Sequence, residues 1–207
     1  MWFSLFIGVL VSYLLGNLNG AVLISAMMHD DVRSHGSGNA GLTNFIRNYG
    51  AGRAIYVVLI DAGKAVLGCV VTGLLLEPYG ISAGGTALGG AAVMLGHMFP
   101  ALLAFRGGKG ILSGLFVALS VDWRIGLIIL GIFAVVYFAT RYVSLSSVLA
   151  SFGFSVCFAI FHHDNLMVMI PGVCMGLMAV FMHRANIVRL IKGKESKTDL
   201  FSMGKQV

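Results

Sequence analysis

Apolar runs at 3–27, 54–76, 81–104, 110–121, 125–140, 143–161 and 165–182 fill most of this chain and decide the solvent in which it can fold. A helix crossing the hydrocarbon of a bilayer needs about 20 mostly apolar residues, somewhat fewer when it is short or sits at an angle. With 58% apolar and 11% charged residues, and a mean hydropathy of +0.92, the chain lacks the charged surface of a soluble domain. Its 207 residues leave room for at most about seven spans and little else. The expectation is a single all-α, polytopic integral membrane domain over 1–207.

Residues 1–28 carry neither a basic leading segment nor a small-residue cleavage site, so they read as a first span and not as a signal peptide. Cys69, Cys157 and Cys174 sit inside apolar runs, odd in number and without CxxC or Cys/His spacing. That argues against a disulfide framework or a zinc site, and neither a metal nor another cofactor is expected. Paired glycines at Gly84-Gly85 and Gly89-Gly90 suggest closely packed helices.

The run 110–121 is too short to cross about 30 Å of hydrocarbon alone; it could be tilted, broken or half of a hairpin. If all seven runs cross, Arg33, Arg47, Arg53, Arg106, Lys109, Arg141, Arg184, Arg189, Lys192, Lys194, Lys197 and Lys205 share one side. The other side holds Arg124, with Glu77, Asp122 and Asp164 about the same turns. Basic loops stay cytoplasmic. The count therefore favours seven transmembrane helices with the N-terminus outside and the C-terminus cytoplasmic. Removing 110–121 would leave a tail with six basic residues outside. The tail 192–207 reads as a polar segment, partly disordered or lying at the headgroups, whose charges attract anionic lipid.

The first loop runs His35-Gly36-Ser37-Gly38-Asn39-Ala40-Gly41-Leu42-Thr43-Asn44-Phe45-Ile46-Arg47. Its glycines permit positive φ and close approach to a ligand. Successive N–H groups in such a loop form an anion-binding concavity, to which Ser37, Asn39, Thr43 and Asn44 add polar side chains. Arg47 can grip a phosphate with two parallel hydrogen bonds. Composition alone also allows an ordinary polar loop.

The second loop reads Gly96-His97-Met98-Phe99-Pro100, then Phe105-Arg106-Gly107-Gly108-Lys109-Gly110. The fourth run starts there, so Gly107, Gly108 and Gly110 would open a helix whose N-terminus favours an anion, with Lys109 adding a full charge. Leu103 and Gly110 occupy positions where a Walker A loop needs glycine and Ser/Thr, which excludes an ATPase of that type. A membrane-flanking positive turn is the plainer alternative.

Asp61 and Lys64, three apart, share a helix face inside the second run; an internal ion pair and a ligand contact both remain open. Arg141-Tyr142-Val143-Ser144-Leu145-Ser146-Ser147 puts hydroxyls at the start of the sixth run, where serines are ordinarily caps. The seventh run ends His183-Arg184-Ala185-Asn186-Ile187-Val188-Arg189, with Glu195 beyond it. In a continuing helix His183 and Asn186 share a face, as do Asn186 and Arg189. Ser37, Arg47, Lys109, the serines at 144–147, His183 and Asn186 can thus converge at one cytoplasmic rim, suited to a phosphorylated substrate beside lipid. No carboxylate pair, HExxH or Gly-x-Ser-x-Gly is present.

Three stretches, at 37–47, 96–110 and 183–195, resemble the three motifs of the bacterial acyl-phosphate:glycerol-3-phosphate acyltransferases, in order and at compatible spacing. The resemblance implies transfer of a fatty acyl group from acyl phosphate to the 1-hydroxyl of glycerol 3-phosphate, giving lysophosphatidic acid and phosphate. It implies seven spans in the cell membrane, with the site on the cytoplasmic side. It makes Ser37 and Arg47 essential at the reacting phosphates, with Gly38, Asn39, Thr43 and Asn44 around them. Gly107, Gly108 and Gly110 become the phosphate loop, with Lys109 as its charge. His183 and Asn186 become activity residues, with Glu195, Asp61 and Lys64 supporting. Ser146 stands where the family has glycine, which leaves the functional hydroxyl between Ser144 and Ser147, with Ser147 preferred. The base is either His183 or an oxygen of the acyl phosphate, the latter preferred. Expected partners are the two substrates, membrane lipid and a soluble enzyme that makes acyl phosphate, with no nucleic acid.

Two other classes compete. A transporter of phosphorylated metabolites predicts repeated halves and a matching polar constellation outside. The outer turns here are short and acidic, and no repeat is visible. A CDP-alcohol phosphotransferase would want clustered metal-binding aspartates, which the inner loops lack.

Overall fold

The computed structural model describes residues 1–198, and every regular element in them is helical. Ten α-helices follow one another: α1 (Trp2–Asn17), α2 (Gly20–Ala26), α3 (Leu42–Tyr49), α4 (Ala54–Leu76), α5 (Ser82–Met98), α6 (Ile111–Val121), α7 (Trp123–Thr140), α8 (Val143–Phe161), α9 (Leu166–Met182) and α10 (Arg184–Ile191). Lys205 and the rest of the tail after 198 lie outside the described residues.

The protein is a multi-pass membrane protein, but the expectation of seven crossings does not hold. Four helices are long and apolar enough to cross: Ala54–Tyr79, Ser82–Leu103, Trp123–Thr140 and Val143–Phe161. Two bent pairs, α1 with α2 (46°) and α9 with α10 (54°), raise the number to six at most. Helix α6 has 11 residues, about 16 Å of rise, roughly half the hydrocarbon thickness. The chain reaches α6 by doubling back. After α5, Ala104 and Phe105 take left-handed φ of 53° and 58°, and Gly108 N–H then donates to His97 O at 3.1 Å. The loop thus returns to the last turn of α5 before α6 begins. A tally of basic residues reports the end at which a loop lies, not how deep the helix between two loops reaches. The orientation of the termini drawn from that count loses its footing with it.

The sequence explains the bend in the first run. Asn17, Leu18 and Asn19 interrupt it, and helix ends leave backbone groups without intrahelical partners. Lys64 Nζ donates to Leu18 O at 2.7 Å and Gly16 O at 3.3 Å, while Gly20 N–H donates to Asp61 Oδ1 at 3.2 Å. A cation thus meets the carbonyl end of α1 and an anion the N–H end of α2, each where the helix dipole favours it. The two side chains pair at 2.7 Å, both 2% exposed. Lys64 also meets His97 Nδ1 at 2.8 Å, which ties the break to the end of α5.

Close backbone approach explains the paired glycines. A Cβ on Gly89 would lie 2.3 Å from Gly68 O, so α4 and α5 pack at a distance only glycine allows. The larger apolar core joins α4 to α9 and includes Met94, Val117, Phe154, Phe158 and Val168. A smaller one, with Val32, Phe45 and Val57, seats α2 and α3 on α4.

A candidate active site at the basic end of the bundle

Asn44 organises the first motif. Its amide nitrogen donates to Val32 O, His35 O and Asn39 O at 3.0, 3.1 and 3.1 Å, and its Oδ1 accepts from Ser37 N–H at 3.1 Å. The loop therefore wraps the first turn of α3, with Gly36 and Gly38 at positive φ (57° and 69°). Asn44, anticipated around the reacting phosphates, spends its amide on this loop and holds Ser37 at the wall of a cavity of about 630 Å³, which Asn39, Thr43, Asn44 itself and Arg47 also line.

The second motif presses against the first. A Cβ on Gly108 would meet His97 Nε2 at 2.2 Å and Ala40 O at 2.6 Å, so the two loops touch where Gly108 has no side chain. Gly110, at φ 80°, is the N-cap of α6 and has no capping side chain. Lys109, Gly110 and the first residues of α6 line the cavity, whereas Gly107 and Gly108 do not and serve as packing. Burial, with the charge of Arg189 second, brings the Lys109 ammonium down to about 8; Glu195 opposes the shift.

The third motif supplies the facing wall. Lys109 Nζ donates to Asn186 Oδ1. Asn186 Nδ2 donates to Glu195 Oε1 at 2.8 Å, and Arg189 Nε to Glu195 Oε2 at 2.6 Å. Burial alone would raise the Glu195 carboxyl, but hydrogen bonds from Arg189 and Asn186 hold it below the ordinary value. His183 Nδ1 lies 2.8 Å from Ala179 O. A carbonyl only accepts, so Nδ1 carries the proton, and in the neutral form of the ring Nε2 is the bare nitrogen. His183 lines the same cavity while only 3% exposed.

On α8, Ser144 lines the cavity and Ser147 does not. The preference for Ser147 is thus not matched by placement: both are buried, but of the two Ser144 alone lines the cavity, and the Ser147 backbone carbonyl accepts from Ser151 Oγ at 2.8 Å. Ser144 Oγ is buried beside Glu195 without a well-formed hydrogen bond. Three residues apart, the two serines share a helix face about one turn from each other, so the packing around α8 decides which of them reaches the cavity.

Two cavity features and one anchor beside them escaped the sequence reading. Arg189 reads in the sequence as one of the basic residues of its side and as sharing a face with Asn186, and it lines the cavity. The tail does not lie loose up to 198: Lys194, Glu195 and Ser196 form part of the wall. Thr198 then anchors the strand, donating N–H to Arg141 O at 3.0 Å and accepting from Tyr137 Oη at 3.0 Å and Arg47 Nη2 at 2.7 Å. Polar tail composition carried no signal for this docking.

The glycerol-3-phosphate acyltransferase family model matches residues 6–193. The chain belongs to this family. The acyltransferase is 38% identical over 189 residues to a glycerol-3-phosphate acyltransferase of Thermoanaerobacter sp. (strain X514), covering 91% of this chain and 92% of that one. It is 36% identical over 192 residues to one of Prochlorococcus marinus (strain MIT 9312), covering 91% and 95%. Its fold is similar to the crystal structure of PlsY (YgiH), an integral membrane glycerol 3-phosphate acyltransferase in its glycerol 3-phosphate form. The TM-score is 0.87 at 28% identity, over 98% of this chain and 100% of that one. The lysophosphatidic acid form of the same enzyme gives 0.81.

Proposed function

We infer that this acyltransferase moves a fatty acyl group from acyl phosphate to the 1-hydroxyl of glycerol 3-phosphate, yielding lysophosphatidic acid and inorganic phosphate. The observation that carries the reading is the two-part character of one cavity. Lys109, Arg47, Arg189 and the uncapped start of α6 gather at one end; Leu115, Ile129, Phe133 and Phe154 line the other. Anions bind at helix N-termini and beside lysine or arginine, and an acyl chain takes the apolar end.

An acyl phosphate is an activated mixed anhydride, so no covalent enzyme intermediate is needed. Lys109 and the α6 N-terminus hold one phosphate, and Arg47 and Ser37 the other. Ser144 supplies a hydroxyl at the cavity wall, beside Glu195. The glycerol oxygen attacks the carbonyl carbon, the C–O bond to phosphate breaks, and the hydroxyl proton leaves with an oxygen of the departing phosphate. Holding the reactants in line supplies roughly 7–11 kcal/mol of the barrier. The bare Nε2 of His183 favours a second route in which that nitrogen takes the proton. A His183→Gln variant that keeps turnover at saturating substrate excludes the second route; one that loses turnover and, with it, the acidic limb of the pH profile supports it.

The active site is assigned to the cytoplasmic side of a bacterial cell membrane. Support comes from the basic residues that meet around it: Arg33 bonds Leu103 O, Arg47 bonds Thr198, Lys197 lies over Tyr142, and Arg189 bonds Glu195. Such clustering marks the inner face. Purified protein in detergent, given palmitoyl phosphate and glycerol 3-phosphate, should release phosphate only when both are present, and Lys109→Ala should abolish release. No release with any acyl phosphate from folded protein would sink the reading.

A further inference from the structure

The apolar end of the cavity has a defined floor. Helix α8 runs down its wall from Ser144 past Ala150 and Ser151 to Phe154. Beyond Phe154 lies a second void of about 10 Å³, at the lower limit of what a single water needs. Among the described residues the two spaces share one lining residue, Phe154.

Phe154 is 4% exposed, and its ring stacks at a tilt on Phe158, centroids 4.7 Å apart. Phe158 cannot retreat. It is 1% exposed, and a Cβ on Gly172 of α9 would lie 2.2 Å from its ring. The small residues Ala87 and Ala91 of α5 and Gly172 of α9 surround the void below. The floor is therefore one aromatic side chain, backed by a second that the opposite helix clamps.

We propose that Phe154 sets the length of acyl chain that this enzyme accommodates, acting as the bottom of the acyl chamber. The proposal rests on the functional reading above. From Ser144 to Phe154 is ten residues of helix, about 15 Å of depth. An extended chain advances roughly 1.2 Å per bond, as the polypeptide backbone does over its three bonds per residue. The chamber thus takes about a dozen carbons in extended form before the chain meets the Phe154 ring. Each further methylene must fold back or leave between helices and gains little from burial.

The test is a chain-length profile of kcat/KM with acyl phosphates from 8 to 18 carbons, on the full chain in detergent. The wild type should gain about fourfold per added methylene in the rising part and flatten near a dozen carbons. Phe154→Ala joins the chamber to the void and should move the plateau to longer chains, raising the ratio of 16-carbon to 12-carbon rates roughly tenfold. Ala150→Leu, one turn higher, should move it to shorter chains. Phe154→Met, which nearly conserves volume, should broaden the plateau and serves if the alanine variant does not fold. Identical profiles in wild type and all folded variants would overturn the proposal. A wild type active with no acyl phosphate would instead remove the functional reading, and the proposal with it.

Discussion

Asn186 gives its amide nitrogen to Glu195 and its carbonyl oxygen to Lys109, so one carboxylate outside the reacting region decides which face of the amide the cavity sees. Glu195→Gln removes the charge that Arg189 and Asn186 both hold. Hydrogen bonds to charged groups contribute about 1.5–3 kcal/mol. The variant should melt at a lower temperature and turn over at roughly a tenth of the rate or less, measured by circular dichroism and phosphate release. The pH dependence has a definite sign. The folded carboxyl lies below the 4.5 of a free glutamate, so its stabilisation is full above that value and fades as pH falls through the folded pKa. The wild type should lose this part of its stability in acid, and Glu195→Gln should have none to lose.

Lys109 titrates at about 8 in the free protein because it is buried beside Arg189. Glycerol 3-phosphate binding needs its charge, so kcat/KM for that substrate should be flat below pH 8 and fall about tenfold per unit above it. Lys109→Arg keeps its charge at every accessible pH. It should lower the plateau and remove the alkaline limb, and a limb that survives the substitution would assign the titration elsewhere. Folding stability moves the other way. The unfolded lysine, near 10.5, binds a proton that the folded one has lost, so stability from this group rises between pH 8 and 10.5.

Asp61 and Lys64 stand between two helix ends that need them both. Asp61→Leu leaves a buried ammonium among carbonyls, and loss of one partner of a buried pair costs about 3–5 kcal/mol. The double variant Asp61→Leu with Lys64→Met should be less destabilised than the single one, because no lone charge remains. Thermal melts of the three proteins in one detergent measure the difference. A double variant less stable than either single one would show that the backbone bonds, not the charges, hold the break.

Much of this architecture was readable in the sequence, for physical reasons that also mark where reading stopped. Apolar runs at 54–76 and 143–161 reappear as α4 and α8 with the same bounds, because lipid permits little but a helix. The candidate site was legible in part because glycine, hydroxyl and basic residues are costly in such a chain, and Ser37, Arg47, Lys109, Ser144, His183 and Asn186 do line one cavity. Length along the membrane normal was not legible. The run 110–121 is apolar because α6 is buried in the bundle, and apolarity alone does not separate a buried short helix from a span. The loop-bracing work of Asn44 was not legible, since an amide that braces a loop has the same letter as one that only lines a site. Ser144 against Ser147 turned on which of two serines one turn apart on the same face reaches the cavity, and the tertiary packing around α8 sets that.

Thr198 reaches back across 151 positions to hold Arg47, and the loss of that grip should be felt in binding. Among the described residues Nη2 alone of the guanidinium is engaged, so Thr198 fixes the side chain without consuming the face that a phosphate would use. An arginine carries about 2 kcal/mol of rotamer entropy, part of which the anchored state has already lost before substrate arrives. Thr198→Val keeps the shape and both backbone bonds, to Arg141 and Tyr137, and removes only the acceptor. The variant should therefore raise KM three- to tenfold for the substrate whose phosphate Arg47 binds, with kcat little changed. Varying acyl phosphate and glycerol 3-phosphate in turn identifies which phosphate that is. A lowered KM would mean that the hydroxyl competes with substrate, which would make the tail a brake and not a brace.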